Sequence, residues 1–284
     1  MKKTKTWIIT GASRGFGLEI SKAVMANGDN VVATVRNKPE ELADKLEHHP
    51  KLHVVTLDIN EEAQAIKVAA ETVERFGSID VLANNAGFGL LGGVEEISDH
   101  EARRVYETNV FGLLKVTRAI LPHMRRQRSG HVINFSSVGG LTASAGWGVY
   151  SSTKFAVEGI TEALAKELAP LGIFATTVEP GYFRTNFLDG ASLLRAEKVI
   201  EDYAETVGVM REIASKINYH QPGDPVKLAT AIVRLAASTK PPVHFPLGTD
   251  TLKYYREKTE AFNKEIAEWH DVITSTDHDD VADQ

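Results

Sequence analysis

The stretch TWIITGASRGFG, residues 6–17, decides the fold of this chain. Its first five residues are mostly β-branched or aromatic and predict a buried strand, and apolar residues recur at a helical period from Leu18 onward. Between them, Gly11 permits a tight turn, Gly15 lets the main chain approach a pyrophosphate, and Gly17 lets the helix pack on the strand. This context predicts a phosphate-binding turn at a helix N-terminus, with an ordinary strand-to-helix connection as the alternative.

Outward from this turn, short β-branched runs alternate with longer amphipathic segments, a pattern typical of βαβ units. Strands are predicted at residues 6–10, 31–35, 53–57, 81–84, 131–135, 174–178 and, more weakly, 243–247. Helices are predicted at residues 61–76, 99–126, 150–171 and 224–237. We therefore predict an α/β fold with a single doubly wound parallel sheet (Rossmann-like) and helices on both faces.

The pattern also predicts the domain organisation. Residues 1–270 are expected to form one dinucleotide-binding domain, in which the alternation lapses at residues 182–222. That segment is predicted to be an inserted helical flap or a loop region at the substrate, and the glycine-rich residues 89–93 are predicted to be a loop. Residues 271–284 are acidic and almost without bulky apolar side chains, which favours a disordered tail.

Composition narrows the classes of partner and location. The 284 residues carry a formal net charge of −6, so a nucleic-acid partner is not expected. Trp7-Ile8-Ile9 is too short for the core of a signal peptide, and we expect a cytoplasmic protein without a membrane span. Residues 129–153 carry no Asp, Glu, Lys or Arg, but their many Ser, Gly and Thr residues favour a packed site. The ten histidines are scattered and there is no cysteine, so no metal is predicted.

The choice of dinucleotide is predicted from the end of the second strand. A site for NAD usually has an acidic residue about 20 residues after the glycine turn, where it bonds the ribose hydroxyls. Here that region holds Val35 and Arg36. Without a carboxylate to repel a 2′-phosphate, Arg14 and Arg36 could hold it, which favours NADP(H) over NAD(H). The alternative is that either arginine is a solvated surface charge.

Three polar residues form a candidate catalytic set. Tyr150 and Lys154 have the i, i+4 spacing that places both side chains on one helix face. A nearby ammonium favours the phenolate and lowers the pKa of a tyrosine. Ser137 follows a predicted strand, where ligands of open α/β sheets bind, and its hydroxyl could hold a substrate oxygen. A Tyr-x-x-x-Lys pair alone is more often a pair on a helix surface. The prediction of a catalytic set therefore depends on its combination with Ser137 and the glycine turn.

Together these motifs resemble the short-chain dehydrogenase/reductase family over about residues 4–240. The turn is similar to that family's Thr-Gly-x-x-x-Gly-x-Gly pattern. Further matches are Asn84-Asn85-Ala86-Gly87, Thr108-Asn109-Val110, Tyr150 with Lys154, and Pro180-Gly181. Gly139-Gly140-Leu141 resembles the hydroxysteroid and retinol dehydrogenase branch.

The resemblance implies roles for individual residues. Tyr150 would be the general acid or base, Ser137 would bond the reacting oxygen, Lys154 would bond the nicotinamide ribose, and Asn109 would help position the lysine. Ser136, by the family's spacing, is expected to be structural. The cofactor would contact Gly11, Ser13, Arg14, Gly15, Phe16, Gly17, Arg36, Asp58, Ile59, Asn85, Ala86, Gly87, Tyr150, Lys154, Pro180, Gly181 and Thr185.

The predicted function is therefore NADP(H)-dependent interconversion of a carbonyl (ketone or aldehyde) and an alcohol. Aromatic residues near Tyr150 and in the flap, Trp147, Tyr182 and Phe187, could contact the substrate along with Ser137 and Tyr150, or could simply pack. A homodimer or homotetramer is expected from the resemblance. The alternatives are a non-catalytic NADP(H)-sensing regulatory protein and an epimerase or dehydratase on the same fold.

Overall fold

Seven parallel strands form the central sheet of the computed structural model, which describes residues 4–190 and 192–278. In chain order the strands of the described chain are β1 (Thr6–Ile9), β2 (Asn30–Val35), β3 (Leu52–Thr56), β4 (Val81–Asn84), β5 (Gly89–Leu91), β6 (Gly130–Phe135), β7 (Ile173–Pro180), β8 (Leu193–Arg195) and β9 (His244–Leu247). Its α-helices are α1 (Gly15–Ala26), α2 (Pro39–Lys45), α3 (Glu62–Phe76), α4 (Asp99–Tyr106), α5 (Leu113–Gln127), α6 (Gly148–Leu168), α7 (Val209–Ile217), α8 (Pro225–Ala237), α9 (Thr249–Glu268) and α10 (His270–Thr274).

The strand order explains where a site can form. The central sheet runs β3-β2-β1-β4-β6-β7-β9, so the order reverses between β1 and β4. In open α/β sheets a crevice opens at such a reversal, beyond the carboxyl ends of the strands. The glycine turn after β1 and the segment after β4 both lie there. The predicted doubly wound parallel sheet is confirmed.

Two apolar cores hold helices on both faces of the sheet, because successive side chains of a strand point to opposite faces. Trp7 and Ile9 of β1 pack in one core with α1 and α8. Ile8, between them, packs in the other core with α3, α5 and α6. All three are almost completely buried. The side chains of β1 therefore alternate between two apolar cores. Its sequence shows no alternation of polar and apolar residues, because helices cover both faces of the sheet.

The predicted helix 99–126 is interrupted in the structure. A π-helical turn, Glu107–Gly112, separates α4 from α5. Gly112 packs so closely on Ile59 that an added Cβ would lie 2.8 Å from Ile59 Cγ1. Asn109 lies in the same turn, and π turns within helices are frequent at functional sites.

The flap contains more regular structure than the sequence pattern indicates. Its strand β8 pairs in parallel with β5, so the prediction of a loop at residues 89–93 is wrong for Gly89–Leu91, which are buried. Three-residue strands are too short to show a period, which is why the pattern misses them. Helix α7 follows within the same segment.

The C-terminal region departs from expectation as well. The twenty-residue α9 follows β9, where no element was predicted. Of the tail predicted to be disordered, residues 271–274 are helical and belong to α10, while residues 279–284 lie outside the described residues. Residues 271–274 follow closely after α9, so the helical conformation resumes in α10. The composition of the tail does not indicate this.

Candidate active site

The glycine turn has the geometry expected of a phosphate cradle. Gly11 and Gly15 adopt left-handed conformations with φ of +66° and +55°, which disfavour other residues. A Cβ on Gly17 would lie 2.5 Å from the carbonyl oxygen of Gly11, so only glycine fits where α1 crosses the turn. Arg14 at the N-cap of α1 makes no side-chain cap, and the first N–H groups of the helix remain available to an anion.

Asn85 ties the segment after β4 to this turn. Its Nδ2 donates to the carbonyl oxygens of Thr10 and Gly11 at 2.9 and 3.1 Å. Thr10 Oγ1 in turn accepts from the main-chain N–H groups of Asn85 and Ala86, both at 3.0 Å. The amide of Asn85 therefore holds the cradle in shape, while the main chain beside it faces the cavity.

Tyr150 is buried at the start of α6, beside Ser137. Burial raises the pKa of Tyr150 to about 12, and a hydrogen bond with Ser137 opposes that shift. The sequence suggests the reverse direction, with Lys154 lowering this pKa. Desolvation of the phenolate is the largest influence on this pKa, and the phenol stays protonated at neutral pH. Ser137 itself caps a 3-10 turn and accepts from Gly139 N at 3.1 Å.

Lys154 lies one helical turn after Tyr150, with its Nζ 5.8 Å from the centre of the phenol ring. Nζ donates to the carbonyl oxygen of Phe135 at 2.8 Å. Burial lowers the pKa of Lys154 to about 8, with Glu158 opposing the shift. Ser136, which the sequence analysis treats as structural, donates to the carbonyl oxygen of Lys154 at 3.3 Å.

Asn109 lies behind this pair, in the π-helical turn. Its Nδ2 donates to the carbonyl oxygen of Phe88 at 2.9 Å and to Thr153 Oγ1 at 3.2 Å. Its Oδ1 accepts from Phe88 N at 3.1 Å. The side chain thus links α6 to the segment after β4, and it acts on the lysine through these elements.

One cavity of about 670 Å³ collects most of the predicted site residues. Those lining it are Gly11, Ser13, Arg14, Gly15, Phe16, Arg36, Asp58, Ile59, Asn85, Ala86, Gly87, Ser137, Trp147, Tyr150, Lys154, Pro180, Gly181, Tyr182, Thr185 and Phe187. Gly17 and Asn109 support the wall from behind. Its length, from Arg36 past the glycine turn to Tyr150, suits an extended ligand with phosphates at the turn.

Apolar side chains gather at the Tyr150 end of the cavity. The ring of Trp147 packs edge-on against Tyr150 with centroids 5.6 Å apart, and that of Phe187 lies 5.9 Å from it. Leu188 lines the same end. Tyr182 also faces the cavity, and its main-chain N–H donates to Asp250 Oδ2 at 2.6 Å.

Several lining residues were not identified from the sequence. Ser192 of the flap accepts from Arg14 Nε at 3.1 Å, so the flap and the glycine turn are joined. Tyr254 comes from α9, whose existence was not predicted. Arg104 lies 5.7 Å from the ring of Phe88 on the cavity wall. The three-residue spacing of Ala102 and Val105 in α4 could have indicated which helix face carries Arg104, but nothing local indicates the other two.

The chain is similar to known proteins of one family over most of its length. Residues 5–193 match the family model for short chain dehydrogenases. The chain belongs to the short-chain dehydrogenase family. The oxidoreductase BOA17 of Botryotinia fuckeliana is 36% identical over 95% of this chain and 98% of its own length. Retinol dehydrogenase 8 of Bos taurus is 34% identical over 84% of this chain and 80% of its own.

Solved structures of short-chain dehydrogenases agree. One from Streptomyces avermitilis is 40% identical, covers 98% of this chain and 100% of its own, and has a TM-score of 0.89. A 3-ketoacyl-(acyl-carrier-protein) reductase of Brucella melitensis, complexed with NADH, is 27% identical with a TM-score of 0.72, covering 86% and 96%. An alcohol dehydrogenase of Thermococcus sibiricus, complexed with 5-hydroxy-NADP, is 25% identical with a TM-score of 0.70, again covering 86% and 96%. Structural neighbours of this short-chain dehydrogenase therefore bind either dinucleotide.

Within the described part of this short-chain dehydrogenase, none of the helices combines the length and apolar character needed to cross a bilayer.

Proposed function

We propose that the protein is an NADP(H)-dependent oxidoreductase that interconverts a ketone or aldehyde with an alcohol. The observation that carries the proposal is the placement of Ser137, Tyr150 and Lys154 on the wall of the cavity that begins at the glycine turn. A dinucleotide fits the residues present, since a Cβ at Gly11 would come within 2.9 Å of Ala86 Cα and close the cradle. When bound, the nicotinamide supplies or accepts the hydride.

The chain's own groups supply proton transfer and positioning. The protonated phenol of Tyr150 donates to the carbonyl oxygen during reduction, and Ser137 Oγ hydrogen-bonds that oxygen as it gains charge. The ammonium of Lys154, close to the phenol ring, stabilises the phenolate left after donation. Burial keeps the phenol of Tyr150 protonated in the free protein, which is the form that donates to a carbonyl oxygen.

The preference for NADP(H) rests on the charge at one end of the cavity. Arg36 and Arg14 line it there, and Val35 precedes Arg36 in place of a carboxylate. A guanidinium pairs with a phosphate through charge-assisted hydrogen bonds. The apolar residues at the other end, Trp147, Phe187 and Leu188, support a moderately hydrophobic substrate.

A carbonyl and alcohol panel with each dinucleotide tests the function by absorbance of the reduced nicotinamide. We expect consumption of NADPH with a hydrophobic ketone or aldehyde, and a tenfold or greater loss, as an order-of-magnitude estimate, in kcat/KM for NADPH in Arg36→Ala. NADH kinetics should not change, and neither should those of the control Arg125→Ala, an exposed arginine of α5.

Two results would contradict the proposal. Equal kcat/KM with NADPH and NADH, unchanged in Arg36→Ala, would remove the cofactor preference. Binding of NADPH without net consumption on any substrate would favour the sensor, or an epimerase or dehydratase that transfers hydride only transiently. The cytoplasmic location and the homodimer or homotetramer stay predictions, and light scattering after size exclusion measures the latter.

A further inference from the structure

Three potential metal ligands converge on the side of the sheet behind Lys154. Glu158 comes from α6, Glu179 from β7 and His244 from β9. His244 Nδ1 lies 3.2 Å from Glu179 Oε1 and 3.4 Å from Glu158 Oε2. One ligand atom from each residue can be chosen so that all lie within 4.8 Å of one another.

The two carboxylates are buried without adequate hydrogen bonding. Glu158 is 6% exposed and Glu179 is 0% exposed. Within the described residues, both oxygens of Glu158 and Oε2 of Glu179 lack a hydrogen bond of good geometry, although Ser136, Thr177 and His244 lie close enough to Glu158 to lower its pKa in part against the effect of burial. Adjacent buried carboxylates are costly unless protons or a cation neutralise them. Glu158 Oε2 and Glu179 Oε1 both lie beside Nδ1 of His244, so the structure contains a place for positive charge.

We propose that Glu158, Glu179 and His244 bind a divalent cation of the zinc type. Zinc bonds to nitrogen and oxygen ligands are about 2.0–2.2 Å long, which in a tetrahedron sets the ligand atoms roughly 3.3–3.6 Å apart. The two distances from His244 Nδ1 are already close to that range. The mixed nitrogen and oxygen donor set suits Zn²⁺ better than Mg²⁺, which prefers oxygen ligands.

Neighbouring groups complete the site. Thr177 Oγ1 donates to Glu179 Oε1 at 2.6 Å and fixes the orientation of that carboxylate. Glu162 Oε1 lies 3.7 Å from His244 Nε2, and His244 Nδ1 makes a hydrogen bond with Glu179 Oε1 at 3.2 Å. A metal ion bound at Nδ1 would replace that hydrogen bond and would leave the hydrogen of the neutral imidazole on Nε2, toward the carboxylate of Glu162.

The site is open to solvent on one side, because the side chain of His244 is 46% exposed. A cation can enter there, and water can take a fourth position. Once bound, it would connect α6, β7 and the edge strand β9. Glu179 directly precedes Pro180, which lines the cavity, so the connection would also brace the wall of the active site.

The sequence predicts no metal, because Glu158, Glu179 and His244 lie far apart along the chain. Glu179 and His244 are separated by 65 residues and share no ligand spacing. They meet because β7 and β9 pair with Thr177 opposite His244. The proposal replaces that expectation, and it does not depend on the proposed oxidoreductase function.

Calorimetric titration of ZnCl₂ into the untagged full chain, freed of metal with a chelator, tests the proposal. We expect saturable binding of one Zn²⁺ per chain, a higher Tm with Zn²⁺, and weaker binding of Mg²⁺. His244→Ala and Glu158→Gln should each weaken Zn²⁺ binding at least tenfold, an order-of-magnitude estimate, and should abolish the visible absorption of bound Co²⁺. The control His48→Ala removes an exposed imidazole paired with Asp44 and should change neither.

Absence of saturable Zn²⁺ binding would overturn the proposal, and would indicate that protons neutralise the carboxylates. Binding of unchanged affinity in both His244→Ala and Glu158→Gln would overturn it as well. If Glu158→Gln does not fold, His244→Ala still decides, because its side chain is half exposed and its removal leaves the core in place. None of these measurements requires turnover, so failure here is distinguishable from failure of the proposed function.

Discussion

The Nζ of Lys154 donates to the carbonyl oxygen of Phe135 at 2.8 Å, so the acceptor of this buried ammonium is an uncharged group. Burial lowers its pKa to about 8. The free protein therefore loses this charge within an accessible range of pH, while Tyr150 keeps its proton.

From this we predict the pH dependence of reduction. The kcat/KM for NADPH should fall as pH rises through about 8, because Lys154 must be charged to bind the cofactor and stabilise the phenolate. Lys154→Met should lose activity at every pH. A steady-state profile at fixed ionic strength measures this, and a constant kcat/KM up to about pH 10, the ordinary pKa of lysine, would contradict it.

Removal of the Tyr150 hydroxyl should separate chemistry from binding. Tyr150→Phe keeps the packing against Trp147 and Phe187, but it removes the acid, and we expect kcat to fall about 10²–10⁴-fold. The Kd for NADPH, measured by fluorescence, should change little. The control Tyr106→Phe removes a phenol that donates to Ser152 Oγ at 2.8 Å, and it should retain activity. Retention of more than about a tenth of kcat in Tyr150→Phe would exclude the acid role.

Glu96 connects the flap to the body of the protein. Its buried side chain accepts from Gly93 N at 2.6 Å and Ile200 N at 2.9 Å, and pairs with Arg211 of α7. Glu96→Gln leaves a partly buried guanidinium without its counter-charge, a change that costs about 3–5 kcal/mol in buried pairs.

We therefore expect Glu96→Gln to loosen the flap. KM for the carbonyl substrate should rise about tenfold or more with a smaller change in Kd for NADPH, an order-of-magnitude estimate, and the flap should be cleaved faster in limited proteolysis. Glu212→Gln, which breaks an exposed pair with Lys216 on the same helix, is the control and should behave as the parent. Equal proteolysis of the two variants would show that Glu96 does not hold the flap.

His131 should make stability depend on pH. Its Nε2 lies 2.9 Å from Thr176 Oγ1, which itself donates to the carbonyl oxygen of Pro242 at 2.7 Å, so the imidazole donates through Nε2. Burial lowers the pKa of His131 to about 3. The unfolded chain has the ordinary pKa near 6.5, so below that pH the unfolded state gains a proton that the folded state does not.

The contribution of His131 is therefore fully present above about pH 6.5 and is lost as pH falls toward 3, by about 1.4 kcal/mol per pH unit. Urea denaturation at several pH values measures this slope. His131→Gln, which keeps a donor of similar size, should reduce the slope between about pH 6.5 and about pH 4. His48→Ala, at an exposed position, should leave it unchanged; an unaltered slope in His131→Gln would contradict the assignment.

The sheet and the grouping of Tyr150 with Lys154 could be predicted because their signals are local. Each of the seven central strands has its own apolar run, and Tyr150 and Lys154 lie on one helical turn. Helix α9 could not be predicted in this way, because it has no buried apolar face. Every residue of α9 is described, and the one that is buried is Thr251. The same holds for Glu158 and His244, because neighbouring residues in the sequence do not determine the register of β9 on β7.

The pairing of β5 with β8 has a consequence for how the molecule assembles. Gly89 lies opposite Leu193, so more than a hundred residues, including β6, α6 and β7, are enclosed between the two strands. Closing so long a loop costs chain entropy before the three residue pairs between the strands can offset it. We expect the sheet to form first and the flap to dock afterwards, so that the chain acquires its nucleotide cradle earlier in folding than its substrate end.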